Sequence, residues 1–311
     1  MRTYDATELE FLLSINEIKD LLVLSRYRHG MAIVLDWLII ISMICAWVLY
    51  PYWWLYPFII MVIGGRMHGL AVLMHDASHY RFLKSKKWND AITNYLSMYP
   101  LFISIEDYRW SHLAHHNKLN TLEDPDWKAK IGRDAFAFPM KKKDFLMRIG
   151  SYLFIYQGVL DLVWIFKRFG SKNKKAERIT YIILMFAAIT FFGVWKEYIL
   201  LWVVPYLTFF SMFLYIRSVA EHFGGLDYNN LLGSSRTIKV SFWESFFLSP
   251  HNVNYHLDHH LYPAVPFYHL DELNRRLELN SGYKNESHIT YGYITGLLLS
   301  LIHISEPTRP L

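Results

Sequence analysis

The chain has 311 residues, 53% of them hydrophobic and 17% aromatic, with a positive mean hydropathy, which is rich for a soluble domain and points to a membrane class. A formal charge of +5 would suit nucleic acid in a soluble chain, but here the basic residues lie between apolar stretches, so membrane orientation is expected and no nucleic acid. Cys45 is the one cysteine, which excludes a disulfide framework, a redox pair and a thiolate metal site and leaves His, Asp or Glu to hold any metal.

Residues 1–20 carry acids and no uninterrupted apolar core, so they are not read as a secretory signal. Crossing a bilayer takes ~20 apolar helical residues. Four stretches qualify, at about 31–50, 53–73, 179–195 and 198–216, the third a little short. Pro51-Tyr52 links the first two and Lys196-Glu197 the last two, which predicts two helical hairpins. Tyr50, Tyr52, Trp53, Trp54 and Tyr56 suit the interfacial belt at the first link. Arg26 and Arg28 precede the first span, and Lys84, Lys86, Lys87, Lys141, Lys142, Lys143, Lys172, Lys174 and Lys175 lie between the hairpins. The positive-inside tendency then puts both termini, residues 74–178 and residues 217–290 in the cytosol, in the inner membrane if the source is bacterial. The predicted fold is an all-α integral membrane protein: one domain over residues 1–290, with two transmembrane hairpins under a cytosolic helical cap.

Several stretches need a choice. Residues 91–105 contain Asn94 and Pro100 and read as a buried or re-entrant segment. Residues 145–166 are long enough to span, but Arg148, Gln157, Gly158 and Asp161 interrupt them, and a helix lying on the membrane surface is preferred. Arg66 falls deep in the second span, where a charge costs several kcal/mol. The preferred reading ends that span near Gly64, and the other has Arg66 snorkelling or facing a polar interior. LSLIHISEPTR near the end resembles the translated adapter of a transposase-type sequencing library, so residues 299–311, with His303, are expected to be non-native.

The chemistry is concentrated in HDASH (His75, His79), HLAHH (His112, His115, His116) and HLDHH (His256, His259, His260), with an isolated His222 after Glu221. Residues i, i+3 and i+4 share a helix face, so each motif is expected to present its imidazoles to one side, as ligands of one metal must. With 15 histidines in 311 residues, composition alone predicts about 0.04 HxxHH patterns, and two are present. The first and isolated groups follow the second and fourth spans, and the HxxHH motifs lie in the segments after each hairpin, so all four groups can meet at one membrane face. Nine imidazoles exceed a single zinc site, which takes four ligands or three plus water, and suit two metals. Imidazole alone does not select iron, copper, nickel or zinc. His68, His251 and His269 lie off the spacing and read as packing or surface histidines, with His251→Ala expected to be tolerated; His29 and His288 give no signal. Trp47 and Trp202 are expected to pack rather than to line a substrate path.

On these motifs the chain resembles the membrane-bound fatty acid desaturase family over roughly residues 69–277, including HHNKLNTLEDPD and PHNVNYHLDHHLYPAVPFYHL. The resemblance implies that His75, His79, His112, His115, His116, His222, His256, His259 and His260 ligate two non-haem irons. It also implies that dioxygen is a co-substrate and that a cis double bond is introduced into a long acyl chain. Iron, as opposed to another metal, comes only from this likeness. In animal acyl-CoA desaturases an asparagine four residues before the isolated histidine supports a metal-bound water; here that residue is Ser218. The third motif begins with His256 and not with the glutamine of front-end enzymes. No HPGG run or cysteine set is present, so electrons are expected from a separate ferredoxin, rubredoxin or cytochrome b5 type of protein, docked on the basic middle segment. Asp76, Asp107, Asp124, Asp126, Glu221 and Asp258, with Asn252 and Asn254, are candidates to hold the free N–H of ligand rings, and Asp124-Pro125-Asp126 reads equally as a helix cap. The competing functions are a hydroxylase or ketolase of the same architecture, acting on a fatty acid, alkane or carotenoid, and, more remotely, a zinc hydrolase or other non-oxidative membrane metal protein.

Overall fold

The computed structural model describes residues 12–169, 175–228 and 230–298. Lys172, Lys174 and the suspected adapter tail with His303 lie outside the described residues. Helix α1 (Arg26–Leu49) starts at Ser25, whose hydroxyl accepts the Arg28 N–H, and ends at Tyr50 before Pro51. Helix α2 (Tyr56–Ser78) begins with Pro57 in its first turn, where a missing N–H costs nothing. The two lie antiparallel, with His29 against Asp76 and Asp36 against Arg66. Over their most apolar windows α2 is 83% buried and α1 only 22%, so α2 is the central helix and α1 a peripheral one. The outward face of α1 carries Val34, Leu38, Ile41 and Val48, which is the pattern of a helix whose solvent is not water.

Past Gly64, α2 carries Arg66 into the interior of the fold. The helix runs unbroken to Ser78, and Arg66 is buried, with its guanidinium 3.0 Å from Asp36 Oδ1, donating to the Phe246 carbonyl and stacked over the Phe246 ring. It neither snorkels nor reaches solvent, because a carboxylate from α1 neutralises it in place.

Residues 91–105 are a buried connector, as expected: a π-turn (Asn94–Met98) and a 3₁₀ turn (Tyr99–Leu101) lead into helix α3 (Ile105–Asn117), with Asn94 Oδ1 accepting the Ile105 N–H at 2.8 Å. Trp202 donates to the Pro100 carbonyl and stacks on Trp37, and Trp47 packs on Tyr56. The single surface helix expected over residues 145–166 is instead two, α4 (Lys142–Leu153) and α5 (Tyr156–Phe169), bent by 78° at a break where Ile155 has φ 67°. The polar residues that interrupt the apolar run explain the bend: Arg148 donates to Gln157, and Asp161 accepts from Tyr152 and Gln157, closing the corner from both sides.

Helix α6 (Lys175–Phe192) covers the third expected span, but Lys175, Glu177 and Arg178 occupy its first turn. Helix α7 (Trp195–His222) absorbs Pro205 through two π-helical turns, Ile199–Val203 and Tyr206–Phe210. Three described helices, α1, α2 and α7, are long and apolar enough to cross a membrane, or four spans if the bent α4–α5 pair counts as one. Beyond α7 the chain forms β1 (Thr237–Lys239), helix α8 (Phe242–Phe247) and helix α9 (His256–Leu261); β1 pairs in parallel with β2 (Ile289–Tyr291) and bridges to Tyr255, just before the third motif.

The helices approach most closely at glycines. A methyl on Gly64 would lie 2.7 Å from Phe209 Cβ, and one on Gly158 would lie 1.8 Å from the Leu207 carbonyl oxygen. Gly158→Ala is therefore expected to push α5 off α7 and lower stability by about 1–3 kcal/mol. Fluorescence-monitored melting in detergent checks this, and an unchanged melting temperature would contradict the packing.

Candidate metal centre

All nine predicted histidines come together beyond the Ser78 end of α2. Their nearest ring nitrogens fall into two groups, each within 4.8 Å: His75, His79, His112, His116 and His259 in one, His115, His222, His256 and His260 in the other. The grouping corrects the expectation that each motif serves one metal. His112 and His116 join the first group while His115 joins the second, and His256 and His260 join the second while His259 joins the first. Helical geometry explains the split. Residues i and i+4 differ by ~40° around the axis, whereas i+3 and i+4 differ by ~100°. Each HxxHH motif therefore straddles both clusters and holds them side by side.

Within the clusters the Nε2 atoms face one another. His79 and His112 are 2.8 Å apart, His112 and His116 3.0 Å, and His116 and His259 3.1 Å. In the second group His222 and His256 are 2.8 Å apart and His256 and His260 3.0 Å. As hydrogen bonds these contacts need alternating tautomers, with His116 Nε2 serving two neighbours, whereas a shared cation needs only neutral rings with bare Nε2 lone pairs. An imidazole nitrogen is either donor or acceptor, and where a carboxylate takes the Nδ1 proton the neutral ring presents a bare lone pair at Nε2. His115 is such a ring, with Nδ1 2.8 Å from Asp124 Oδ2. Two ligands ~2.1 Å from one ion and ~90° apart lie ~3.0 Å from each other, so the observed separations suit nitrogen donors around a shared cation. Burial keeps the rings neutral as well. It holds His112, His116, His256, His259 and His260 well below the ordinary imidazole range, and lowers His79 to about 3, with neighbouring positive groups adding to the effect. The buried His75 Nε2 has no hydrogen-bond partner among the described residues and belongs to the first cluster. Converging bare nitrogens in a buried polar pocket fit a metal.

The other candidate residues divide. Asp124 acts in both ways anticipated for it: Oδ2 meets His115, and Oδ1 accepts the Asp126 and Trp127 N–H groups as a helix cap. Glu221 is paired with Arg217 and lies 3.6 Å from His256 Nδ1. Asp126 pairs with Lys130 beside the second cluster, where its charge raises His260 against the larger effect of burial. Ser218 lines the cavity below, and its buried hydroxyl has no hydrogen-bond partner among the described residues. The rest hold structure and not ring protons. Asp107 is bound by Arg178, and Asp258 by Tyr283, Asn274 and Thr237, where burial pushes its carboxyl up to about 7 despite three donors. Asn252 donates to the Phe267 carbonyl and Asn254 to that of Ile238, so neither reaches a motif ring. Asp76 takes the Phe267 N–H and faces His29. A residue overlooked in the sequence is Tyr108, whose hydroxyl lies 3.3 Å from His112 Nδ1; its place four residues before His112 on α3 was the available signal.

A cavity of about 270 Å³ borders both clusters through His75, His112, His115, His222 and His256. Its lining is mixed: Ala71, Leu101, Ile103, Phe210 and Leu214 are apolar, and Lys130, Arg133, Gln157 and Asp161 are polar or charged, with Phe136 and Trp164 also on the wall.

Membrane-length helices packed beneath two buried imidazole clusters, with a cavity at their edge, are the scaffold of a membrane protein with a candidate metal centre. The fatty acid desaturase family model matches residues 51–292, and the chain belongs to that family. It is 28% identical over 246 residues to dihydrorhizobitoxine desaturase of Bradyrhizobium elkanii, covering 74% of this chain and 70% of that one. It is 26% identical over 249 residues to the chloroplastic omega-6 fatty acid desaturase of Spinacia oleracea, covering 74% of this chain and 55% of that one, so it spans only about half of that relative. It is 24% identical over 257 residues to sn-1 acyl-lipid omega-3 desaturase (ferredoxin) of Nostoc sp. (strain 36), covering 74% and 67%.

Proposed function

We propose that the chain is a di-iron, dioxygen-dependent acyl desaturase that places a cis double bond in a long acyl chain, with electrons from a separate donor. The observation that carries this reading is the cavity: it borders both histidine clusters, and Ala71, Leu101, Ile103, Phe210 and Leu214 give it apolar walls, so a methylene segment would lie beside the metals. His75, His79, His112, His116 and His259 would hold one iron and His115, His222, His256 and His260 the other. The irons would supply oxidising power, drawn from dioxygen and two electrons, sufficient to remove hydrogen from an unactivated C–H bond. The chain's own residues do the rest. Asp124 keeps the His115 proton on Nδ1 and aims its Nε2, and Tyr108 steadies His112. Ala71, Leu101, Ile103, Phe210 and Leu214 exclude water and hold the chain by apolar contact.

The polar lining residues favour a second reading of the substrate. Arg133 lies over the faces of Phe136 and Trp164 beside Asp161, which suits a polar head group, and the Bradyrhizobium relative is named for a substrate that is not a fatty acid. A ferredoxin donor is supported by the name of the Nostoc relative and by the basic residues between the spans. The same residues support the four-span topology, one domain over residues 1–290, with the metal face and both termini in the cytosol and, in a bacterium, in the inner membrane.

The test is lipid mass spectrometry in a host lacking desaturases, supplied with a matched ferredoxin and reductase. Acyl products lighter by one H₂ are expected. Products heavier by one oxygen atom would replace desaturation with hydroxylation, and neither product would sink both.

A further inference from the structure

Two carboxylates outside the clusters tie the third histidine motif to the α1–α2 pair. Asp76 on α2 accepts the Phe267 N–H at 3.1 Å and has His29 of α1 at 3.2 Å. Asp36 on α1 lies 3.0 Å from Arg66 of α2 and 2.8 Å from His251 Nε2. Each carboxylate thus faces one partner on the opposite helix and binds one in the segment that carries His256, His259 and His260. Asp36 is only 1% exposed, and α2 makes room for it: a methyl on Gly69 would lie 2.4 Å from Asp36 Oδ2. Arg66 offsets the carboxylate charge and engages Oδ1, which leaves Oδ2 for the N–H of the His251 ring.

The backbone at this point is unusual. His251 and Asn252 both adopt left-handed conformations, φ 55° and 58°, which non-glycine residues hold only where surrounding contacts over-determine them. Those contacts are the Asp36 bond, the His251 ring against Phe267, and the Asn252 amide on the Phe267 carbonyl. The bend precedes α9 by a few residues, and α9 supplies ligand nitrogens to both clusters.

We propose that His251 is a positioning residue: held by Asp36 and Arg66, it sets the bend that aims His256, His259 and His260 into the clusters. This rests on the reading that the clusters hold metal, and it reverses the sequence expectation that His251→Ala is harmless.

The experiment titrates the full chain in detergent with cobalt(II), a spectroscopic probe of the sites, and follows hydrogen–deuterium exchange of residues 249–262 in the metal-free protein. His251→Ala is expected to weaken cobalt binding ~10-fold or more, to change the cobalt absorption spectrum and to raise exchange in that segment. His251→Gln keeps an N–H donor within reach of Asp36 and is expected to restore all three. If the alanine variant does not fold, His251→Met against His251→Gln gives the same contrast, since the two match in size and differ in the donor. Wild-type cobalt affinity, spectrum and exchange in His251→Ala would overturn the proposal. A wild type that takes up no cobalt would overturn the metal reading itself and the positioning role with it, which is a distinct result from a wild type and a variant that bind equally.

Discussion

His259→Ala is expected to leave the chain folded and membrane-inserted while its metal content drops and turnover falls below detection. His259 supplies a ring to the first cluster, with its Nε2 3.1 Å from that of His116, yet its chain position is on α9 beside the second cluster. Its loss opens one site directly and loosens the helix shared with the other. Ligand-supporting neighbours already change metal affinity or activity ~10–100-fold when removed, and a ligand itself should cost more. In the metal-free chain the cost is smaller. Bare nitrogens converge there without a cation, so removing one relieves repulsion, and the metal-free variant should lose less stability than the size of a buried ring suggests. The metal-bound wild type gains stability that the variant cannot, because binding to the folded state alone stabilises it. Metal analysis, acyl-product analysis and melting with and without metal check the three statements. Wild-type turnover in His259→Ala would remove this histidine from the site.

Asp124→Asn is expected to reduce turnover ~10–100-fold with little change in KM. Every group around the Asp124 carboxylate is a donor: His115 Nδ1 and the Asn120 N–H at Oδ2, and the Asp126 and Trp127 N–H groups at Oδ1. An amide has one oxygen and one NH₂. If the oxygen stays on the helix cap, the NH₂ opposes the His115 N–H, and the ring must turn or change tautomer. If the amide flips, His115 is satisfied and the cap is lost, at about 0.5–2 kcal/mol. Measuring kcat, KM and melting together separates the two outcomes. Wild-type kcat in this variant would show that Asp124 is only a cap.

The histidines were legible because their spacing is a property of one helix turn, and a local rule suffices to read it. Their allocation was not. His115 parts from His112 and His116 because helix α3 lies between two clusters, and only the packing of α2, α7 and α9 around it places a second cluster there. Asp124 was read as a ring partner from its place near the second motif and as a cap from the Asp-Pro-Asp turn, and it meets both kinds of donor. Asp107 and Asp258 carried the same local signal, but a cation from α6 and a set of neutral donors reached them first. The partner of Arg66 and of His251 was not legible for a related reason: the carboxylate that meets both sits on α1, far from either in sequence.

What the sequence determined by itself was the membrane class, the apolar helices, the four histidine groups and the lack of a thiolate alternative, all of which follow from composition and short-range periodicity. What the tertiary structure decided was how nine rings divide into five and four, which carboxylates aim them, where α4 breaks from α5, and that Asp36 joins α1 to the third motif. The physical reason is the same in each case. A buried polar atom must find a partner, and which partner it finds depends on the surfaces that folding brings to it.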